Sequence, residues 1–356
     1  MTRSEAAPQL FSTVASKPPA FSSDEACAIA KTHFGLSANE TAMLVSERDQ
    51  NFLLRTDAGE RVVLKIANAE EERVVTEFQL AALAHIEQCA AGANLAPRVV
   101  ATQDGRPATV VEKGGQSHLC RIVTYLPGRL LADAVLTPDL CQGFGRFMGV
   151  LDDTLCSFDH PGAHQILLWD MQRALELKAL LPHLIDREAR LLVEATFNEF
   201  ETQVQPMFGR LPTQIVHNDA NPGNVLVSEE TDRVVGVIDF GDMLRAPRVV
   251  EVAIACAYLR SFAEDPLLLT RAFVAGYHAV TPLQPAELDV LHVAIKTRLA
   301  TTVAVMAWRA SLRDSDDAYL LQTQSSEDDA QEFLRRLVNV PNDDARRSYA
   351  DACAAP

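Results

Sequence analysis

Two apolar runs in the second half of the chain enclose the polar segment that decides the fold. The first stretch reads Ile215-Val216-His217-Asn218-Asp219-Ala220-Asn221-Pro222-Gly223-Asn224-Val225-Leu226-Val227, and Val237-Ile238-Asp239-Phe240-Gly241-Asp242 follows it. The β-branched apolar residues predict short strands, and the Asn, Pro and Gly residues predict a turn between them. Polar side chains that a rigid scaffold presents on a loop are where chemistry usually takes place.

The polar residues of this loop have a spacing that is typical of catalytic loops in kinase folds. His217 stands two positions before Asp219, Asn224 stands five positions after it, and an Asp-Phe-Gly sequence follows the next strand. Asn and Asp also favour turns for backbone reasons alone, so each short motif by itself is a weak signal. Their order and spacing together predict a site for phosphoryl transfer.

Each of these residue types suits one task in phosphoryl transfer. The protein must hold the acceptor in line, and Mg²⁺ must neutralise phosphate charge. We predict that Asp219 is the catalytic base, which takes the proton of the acceptor hydroxyl. Asn224 and Asp239 would supply the hard oxygen ligands that Mg²⁺ prefers. His217 is interpreted as a structural histidine that braces the loop, not as a proton carrier.

Two further acidic residues follow the Asp-Phe-Gly sequence. Asp242 has two open interpretations: it positions the substrate or a second metal ion, or it caps the helix that follows. That helix begins near Val249, and its Glu251 is expected to support the catalytic loop.

The complementary half of the site is predicted upstream, in a meander of short strands. Residues 41–46, 51–56 and 61–67 are apolar runs separated by polar turns. Lys65 lies inside the last run, in Val62-Val63-Leu64-Lys65, where its ammonium could reach the α- and β-phosphates of a nucleotide. The alternative is a solvent-facing residue on an edge strand.

A helix with apolar residues at helical spacing is predicted over residues 70–87. A carboxylate on this helix is needed to orient Lys65. Glu77 is the best candidate, and Glu71 and Glu72 are alternatives. Glu77 could also be an ordinary solvated side chain on the helix face.

The remaining pattern divides the chain into an arm and two lobes. We predict that residues 1–20 form a flexible N-terminal arm. Residues 21–126 are predicted to form an N-lobe, in which a five-stranded antiparallel sheet and one helix bind the nucleotide. Residues 127–356 form a mostly helical C-lobe, which contains the catalytic loop, the metal site and the acceptor pocket. Helical patterns in the C-lobe cover 138–156, 168–181, 186–208, 266–280, 285–311 and 327–338.

These motifs resemble the aminoglycoside phosphotransferase and choline kinase superfamily of small-molecule kinases. The resemblance covers residues 45–260 and is strongest at 217–224 and 239–242. It implies an α+β, bilobal, protein-kinase-like fold, ATP or GTP as the phosphate donor, and a hydroxyl acceptor held by the C-lobe. It also implies Asn51 beside the phosphates and a hinge at Tyr125 and Leu126 that contacts the nucleotide base.

Within this superfamily, the sequence is most similar to the hydroxylysine kinase branch. The similarity lies in residues 68–78, 239–242 and 251–255. Because hydroxylysine kinases favour GTP, the nucleotide base stays open. Homoserine, choline and aminoglycoside kinases share the same catalytic residues and remain alternatives. A kinase-fold protein that only binds nucleotide is an alternative of another class, but such proteins normally lose the lysine, the base or the metal ligands, which are all present here.

Two features favour a small acceptor over a peptide. The turn at residues 46–51 contains no glycine, so it cannot be the Gly-rich flap of protein kinases. Residues 242–245 are too few to form an activation segment. The expected acceptor is a small, amine-bearing metabolite. Asp170, Asp316 and Asp317 could attract a cation, but acidic surface is the simpler explanation, given the net charge of −16.

Charge and cysteine content narrow the partners and the compartment. The chain has 356 residues, with 32 basic and 48 acidic side chains and a net charge of −16, which would repel nucleic acid. Its first residues lack an apolar segment of signal-peptide length, and its longest uninterrupted apolar stretch, 252–259, is too short to cross a membrane. Seven scattered cysteines suit reduced thiols. We therefore expect a cytoplasmic protein without nucleic-acid or membrane partners; its oligomeric state stays open.

Overall fold

The computed structural model describes residues 18–46, 48–89, 94–312 and 318–354, with side chains for all of these except 318–327. The chain forms two compact units. Of the described residues, the first unit contains those up to Gly128, together with Phe158–Ile166 and Gly236–Gly241, and the second contains the others. Most of the predicted arm, residues 1–17, lies outside the described residues, as do Asp316 and Asp317.

An antiparallel sheet is the centre of the first unit. Its strands, β1 to β6, are Ala38–Leu44, Gln50–Thr56, Arg61–Ile66, Val99–Val100, Thr109–Lys113 and Gln116–Thr124. The order is β1-β2-β3-β6-β4, with β5 paired to β6. Within the described residues this sheet thus has six strands, where five were predicted.

A tight hairpin joins β5 and β6. Lys113 and Gln116 face each other across a turn made by Gly114 and Gly115, whose φ angles are 60° and 80°. Two consecutive positive φ angles match the right-handed twist of a two-residue hairpin, and glycine adopts them without strain. Strand β6 therefore begins at Gln116 and pairs along its length with β5, β3 and β4.

Two helices accompany the sheet: α1, Ser23–Phe34, and α2, Arg73–Gln88. The start of α1 is a capping box. The Ser22 hydroxyl accepts from the Glu25 backbone N–H at 3.2 Å, and the Ser22 N–H donates to the Glu25 carboxylate at 2.6 Å. This pair satisfies backbone donors that a helix start leaves open.

The two faces of the sheet differ in polarity. Alternate residues of β2 and β3 are buried with α1 in one apolar cluster that includes Phe34, Phe52, Leu54, Leu64 and Ile66. Because successive side chains point to opposite faces, Lys65 lies on the other side.

Helices make up most of the second unit. They are α3 to α9, with bounds Pro138–Leu155, Arg187–Gln203, Val249–Tyr258, Leu268–His278, Pro285–Leu312, Ala318–Val338 and Asn342–Ala354. The stretch predicted as a helix at 168–181 is a run of 3₁₀ turns at Met171–His183 instead.

Two glycines let α3 and α6 approach closely. A Cβ atom at Gly145 would lie 2.0 Å from the Phe273 carbonyl oxygen, and one at Gly276 would lie 2.0 Å from the Gln142 carbonyl oxygen. Only glycine permits this backbone contact.

Short strands carry the polar loop. β7 to β11 are Arg129–Leu130, Thr213–Val216, Val225–Val227, Val234–Val237 and Leu244–Pro247. β8 pairs with β11, and β7 pairs with β9, both antiparallel. The predicted catalytic loop therefore runs from the end of β8 to the start of β9, between strands that hold its two ends.

Helix α7 is long and apolar enough to cross a membrane by length and composition, and no other helix of the described residues passes this test. In the structure, 94% of its most apolar 18-residue stretch is buried. Such burial is typical of the core helix of a globular unit.

Candidate active site

The loop between β8 and β9 places Asp219 at its tip. His217 and Asn218 are fully buried, and Asn218 has a φ of 65°, in the left-handed region that Asn tolerates better than most residues. The Asp219 backbone N–H donates to His217 Nδ1 at 3.3 Å. His217 thus lies inside the loop as part of its support, while 22% of the Asp219 side chain stays exposed.

Two amide side chains hold the Asp219 carboxylate. Asn221 Nδ2 donates to Oδ1 at 2.9 Å, and Asn224 Nδ2 donates to Oδ2 at 2.6 Å and to the Asp219 carbonyl at 3.0 Å. Asp219 and Asn224 therefore converge as the spacing predicts. Because the nitrogen of the Asn224 amide is turned towards Asp219, its oxygen faces away and can serve as a ligand.

Glu251 supports this loop from α5. Its Oε2 accepts from the Asn218 N–H at 2.8 Å, and the side chain is fully buried. Burial raises the pKa of Glu251 to about 7, against the opposing effect of hydrogen bonds from the backbone of Asn218 and His217. The sequence predicts this supporting position for Glu251, and the structure places it there.

Arg298 of α7 also reaches the loop, and the sequence analysis did not find it. Its Nη2 lies 3.8 Å from Asp219 Oδ1, and its side chain is 3% exposed. The available signal is an arginine within an apolar helical stretch, but sequence spacing cannot connect it to Asp219.

In the first unit, Lys65 pairs with Asp239. Lys65 Nζ lies 3.2 Å from Asp239 Oδ1, although 174 residues separate them in sequence. Asp239 has a φ of 63°, an unusual conformation for Asp that is often found at functional positions. Its side chain is 53% exposed, so solvent and ions can reach the carboxylate.

Lys65 belongs to a polar row across the sheet. Asn51 on β2 and Arg121 on β6 are its direct neighbours in register, so the three side chains share one face. Asn51 is 8% exposed, and its Oδ1 has no hydrogen-bond partner among the described residues. A buried acceptor without a donor is costly, which fits a position that a ligand completes.

The three glutamates considered as partners of Lys65 have other roles in the structure. Glu77 is exposed and pairs with Arg73, one helical turn earlier, at 2.7 Å. Glu72 is the N-cap residue of α2. Glu71 accepts from the Thr76 hydroxyl, and burial, together with the charge of Asp49, raises its pKa. The ion pair that the structure gives Lys65 is the one with Asp239.

Arg121 makes the contact to α2 that was expected of Lys65. Its Nη2 donates to Gln79 Oε1 at 2.6 Å and lies 3.4 Å from Asp49 Oδ2. The Asn68 N–H donates to Asp49 Oδ1 at 3.3 Å. Asp49, in the glycine-free turn before β2, thus contacts both β6 and the segment after β3.

The remaining predicted residues lie as follows. The Tyr125 N–H already donates to the Arg61 carbonyl at 3.2 Å, and Arg61 stacks on the Tyr125 ring at 4.1 Å. A base contact at the hinge would therefore use the Tyr125 carbonyl and Leu126, which follows.

Asp242 ends a 3₁₀ turn, Phe240–Asp242, and is half-buried. Asp170 caps the turns at Met171–His183 by accepting from the Gln172 N–H at 2.9 Å.

The Asp-centred loop of one unit and the Lys65–Asp239 pair of the other each have the residue types expected of a kinase-like phosphotransferase. The phosphotransferase enzyme family, abbreviated APH, matches residues 44–289, more than half of the chain, and the chain belongs to this family. Membership confirms the class of enzyme predicted from the sequence, a phosphotransferase with an alcohol group as acceptor.

Known proteins agree with the resemblance to hydroxylysine kinases. The chain is 29% identical to the hydroxylysine kinase of Bos taurus over 326 residues, which cover 86% of this chain and 87% of that protein. It is 27% identical to the hydroxylysine kinase of Danio rerio over 95% of this chain and 97% of that protein. The predicted family and the predicted similarity to hydroxylysine kinases are thereby confirmed.

A solved structure supports the fold. The amicoumacin kinase hAmiN, in complex with AMP-PNP, Ca²⁺ and Ami, superposes with a TM-score of 0.67 at 14% identity, over 90% of this chain and 95% of that one. At this identity the likeness concerns the fold alone. It confirms the predicted α+β kinase-like fold.

Proposed function

We propose that this protein transfers the γ-phosphoryl group of ATP or GTP to the hydroxyl of a small, amine-bearing metabolite, with hydroxylysine as the favoured acceptor. The observation that carries the proposal is the Asp219 carboxylate, which two amides fix in place while part of it stays exposed. A base for an acceptor hydroxyl must be held in this way and still be reachable. The acceptor is inferred from the hydroxylysine kinases to which the chain is similar.

The residues present suit a nucleotide with Mg²⁺. Asp239 offers a half-exposed carboxylate, and Asn224 offers an amide oxygen whose nitrogen is already engaged. Hard oxygens in small number are what Mg²⁺ takes from a protein when phosphates supply other ligands. When bound, the ion would neutralise charge on the phosphates.

The chain's own groups would divide the work as follows. Lys65 would hold phosphate oxygens by charge. Asn51 would lie beside the phosphates, and because its unpaired Oδ1 can only accept, a donor such as a ligand hydroxyl or a water would complete it. Asp219 would accept a hydrogen bond from the acceptor hydroxyl, align its oxygen and take the proton as the oxygen–phosphorus bond forms. The bond between the γ-phosphorus and the β–γ bridging oxygen breaks in the same transfer, and the nucleoside diphosphate leaves. Glu251 and His217 would keep the loop in place.

The proposal includes a cytoplasmic location. All seven cysteines are free thiols, and three of them are buried: Cys120, Cys141 and Cys256. Free thiols packed as apolar groups are typical of a reducing compartment.

The test is an acceptor screen with purified protein. MgATP and MgGTP are each combined with hydroxylysine, homoserine, choline, ethanolamine and aminoglycosides, and acceptor-dependent release of nucleoside diphosphate is measured. We expect turnover to be fastest with hydroxylysine. Asp219→Asn should lower kcat by about 10²- to 10⁴-fold with nucleotide binding unchanged.

Asp153→Asn provides the matched control, because Asp153 is an exposed aspartate on α3 and should leave kcat unchanged. If turnover is fastest with an aminoglycoside, the acceptor is an antibiotic and the proposed metabolic acceptor is wrong. Nucleotide binding without turnover on any acceptor would make the protein a binding module.

A further inference from the structure

Arg298 is a buried cation in a helix core. It lies in α7, where its neighbours Leu299 and Ala300 are fully buried, and its own side chain is 3% exposed. Removing a guanidinium from water costs several kcal/mol, which partners must offset. Lys296, half a turn earlier, meets this requirement through Glu199 at 2.7 Å and Asn342 at 3.1 Å.

Arg298 is held mainly by aromatic rings. Its guanidinium lies 4.6 Å from the Trp169 ring and 5.8 Å from the Tyr258 ring. Its Nη2 donates to the Tyr258 hydroxyl at 3.2 Å, whereas Nε and Nη1 have no hydrogen-bond partner among the described residues. Stacking fixes the plane and position of the group without neutralising its charge.

The charge of Arg298 is directed at the catalytic loop. Its Nη2 lies 3.8 Å from Asp219 Oδ1, and this is the ion pair that Arg298 makes among the described residues. The charges of Asp242 and Glu251 also act on it. Asn221 and Asn224, the amides that hold Asp219, carry no charge, so Arg298 supplies the positive charge that they lack.

We propose that Arg298 is a positioning residue for phosphoryl transfer, which fixes the Asp219 carboxylate through charge from beneath the loop. The inference rests on the proposed function, in which Asp219 receives the acceptor proton. Arg298 does not touch the acceptor or the nucleotide. It acts by keeping Oδ1 and Oδ2 in the orientation that the acceptor hydroxyl requires, and a displacement of about 1 Å at such a group can cost 10²-fold in rate.

The competing role is purely structural, as a stacking partner in the core. Arg309 provides the matched control, because it belongs to the same helix, is also 3% exposed and lies over the same Trp169 ring at 5.5 Å. If stacking were the whole function of these arginines, substitutions at 298 and 309 would have the same kinds of effect.

The experiment compares Arg298→Gln, Arg298→Lys and Arg309→Gln in the full chain, with kcat, both KM values and the melting temperature measured for each. We expect Arg298→Gln to lower kcat about 10²-fold with the KM for nucleotide within about twofold of wild type. The kcat of Arg298→Lys should be about tenfold higher than that of Arg298→Gln, because lysine keeps the positive charge but cannot stack as a planar group. Arg309→Gln should lower the melting temperature but leave kcat within about twofold.

Equal kcat in Arg298→Gln and wild type, or an equal loss of kcat in Arg309→Gln, would overturn the proposal. If Arg298→Gln does not fold, Arg298→Lys is compared with Arg309→Lys. A loss of kcat in Arg298→Lys alone supports the proposal, and equal kcat values in the two variants refute it. If the wild-type protein shows no acceptor-dependent transfer, the proposed function is contradicted. The role of Arg298 is tested by the variants, so the two failures can be distinguished.

Discussion

Glu251 is a buried carboxyl group whose protonation should set part of the pH dependence of stability. Burial raises its pKa from the ordinary 4.5 to about 7, so the folded protein binds the proton more tightly than the unfolded chain does. The stabilisation is complete below pH 4.5 and is lost as the pH rises towards 7. The pKa of Asp152 is raised by burial and by the charge of Glu251, so Asp152 acts in the same direction.

We predict that Glu251→Gln removes part of this pH dependence. Gln keeps an acceptor oxygen for the Asn218 N–H but has no charge to bury. The free energy of unfolding, measured with urea at pH 5 and pH 7.5, should therefore fall less between these values in the variant than in the wild type. Equal differences in the two proteins would show that Glu251 does not titrate in this range.

His292 is a second buried group that contributes to the pH dependence of stability. Burial lowers the pKa of His292 to about 4, so the stability linked to it is lost as the pH falls from 6.5 towards 4. This is opposite in sign to the effect of Glu251. The comparison of variant with wild type at each pH cancels the contribution of His292, because that residue is the same in both.

At the scale of elements, the Asp49–Arg121 pair joins the turn before β2 to the sheet. Both side chains are largely buried, at 13% and 3% exposure. Asp49→Asn should lower the free energy of unfolding by about 2 kcal/mol, because the buried charge of Arg121 would no longer face the Asp49 carboxylate. It should also raise the KM for nucleotide, since the turn lies beside Asn51 and Lys65.

Urea unfolding and nucleotide kinetics measure the two effects. Asp104→Asn is the matched control in the same unit, because Asp104 pairs with Arg106 while both side chains are more than half exposed. Such an exposed pair contributes about 1 kcal/mol or less. Similar losses in the two variants would mean that the Asp49 pair contributes no more than a surface pair.

The close packing of α3 on α6 gives a prediction about two glycines of one helix. Gly145→Ala would push a Cβ atom against the Phe273 carbonyl, whereas a Cβ at Gly143 meets nothing within 4 Å. We expect Gly145→Ala to destabilise by about 1–3 kcal/mol or more. Gly143→Ala should be neutral or stabilise by up to about 1 kcal/mol, because alanine favours the helix. A neutral Gly145→Ala would show that the two helices can separate without cost.

The elements that sequence could predict are those whose determinants lie close together in the chain. Asp219 and Asn224 are five positions apart, so the spacing alone suggests that they converge. The partner of Lys65 could not be predicted, because Arg73 competes for Glu77 from one helical turn away. Arg298 could not be placed, because its contact with Asp219 depends on the packing of α7 and not on any local pattern.

At the scale of the whole molecule, ligand binding should be visible as added stability. A ligand that binds the folded protein at 100 times its Kd adds about 2.7 kcal/mol. If Asp239 is a metal ligand, most of the stabilisation by nucleotide should require a divalent ion. The rise in melting temperature with MgATP should then shrink when EDTA removes the metal.

Asp239→Asn should reproduce the effect of EDTA while Mg²⁺ is present. Asn tolerates the left-handed backbone at this position, so the fold should persist, but the charge that attracts the ion is lost. Turnover should fall far more than nucleotide affinity, because the metal stabilises charge that grows in the transition state. Asp232→Asn is the matched control, since Asp232 is also left-handed, at a φ of 51°, and pairs with Arg129. A full Mg²⁺-dependent shift in Asp239→Asn would remove Asp239 from the metal site.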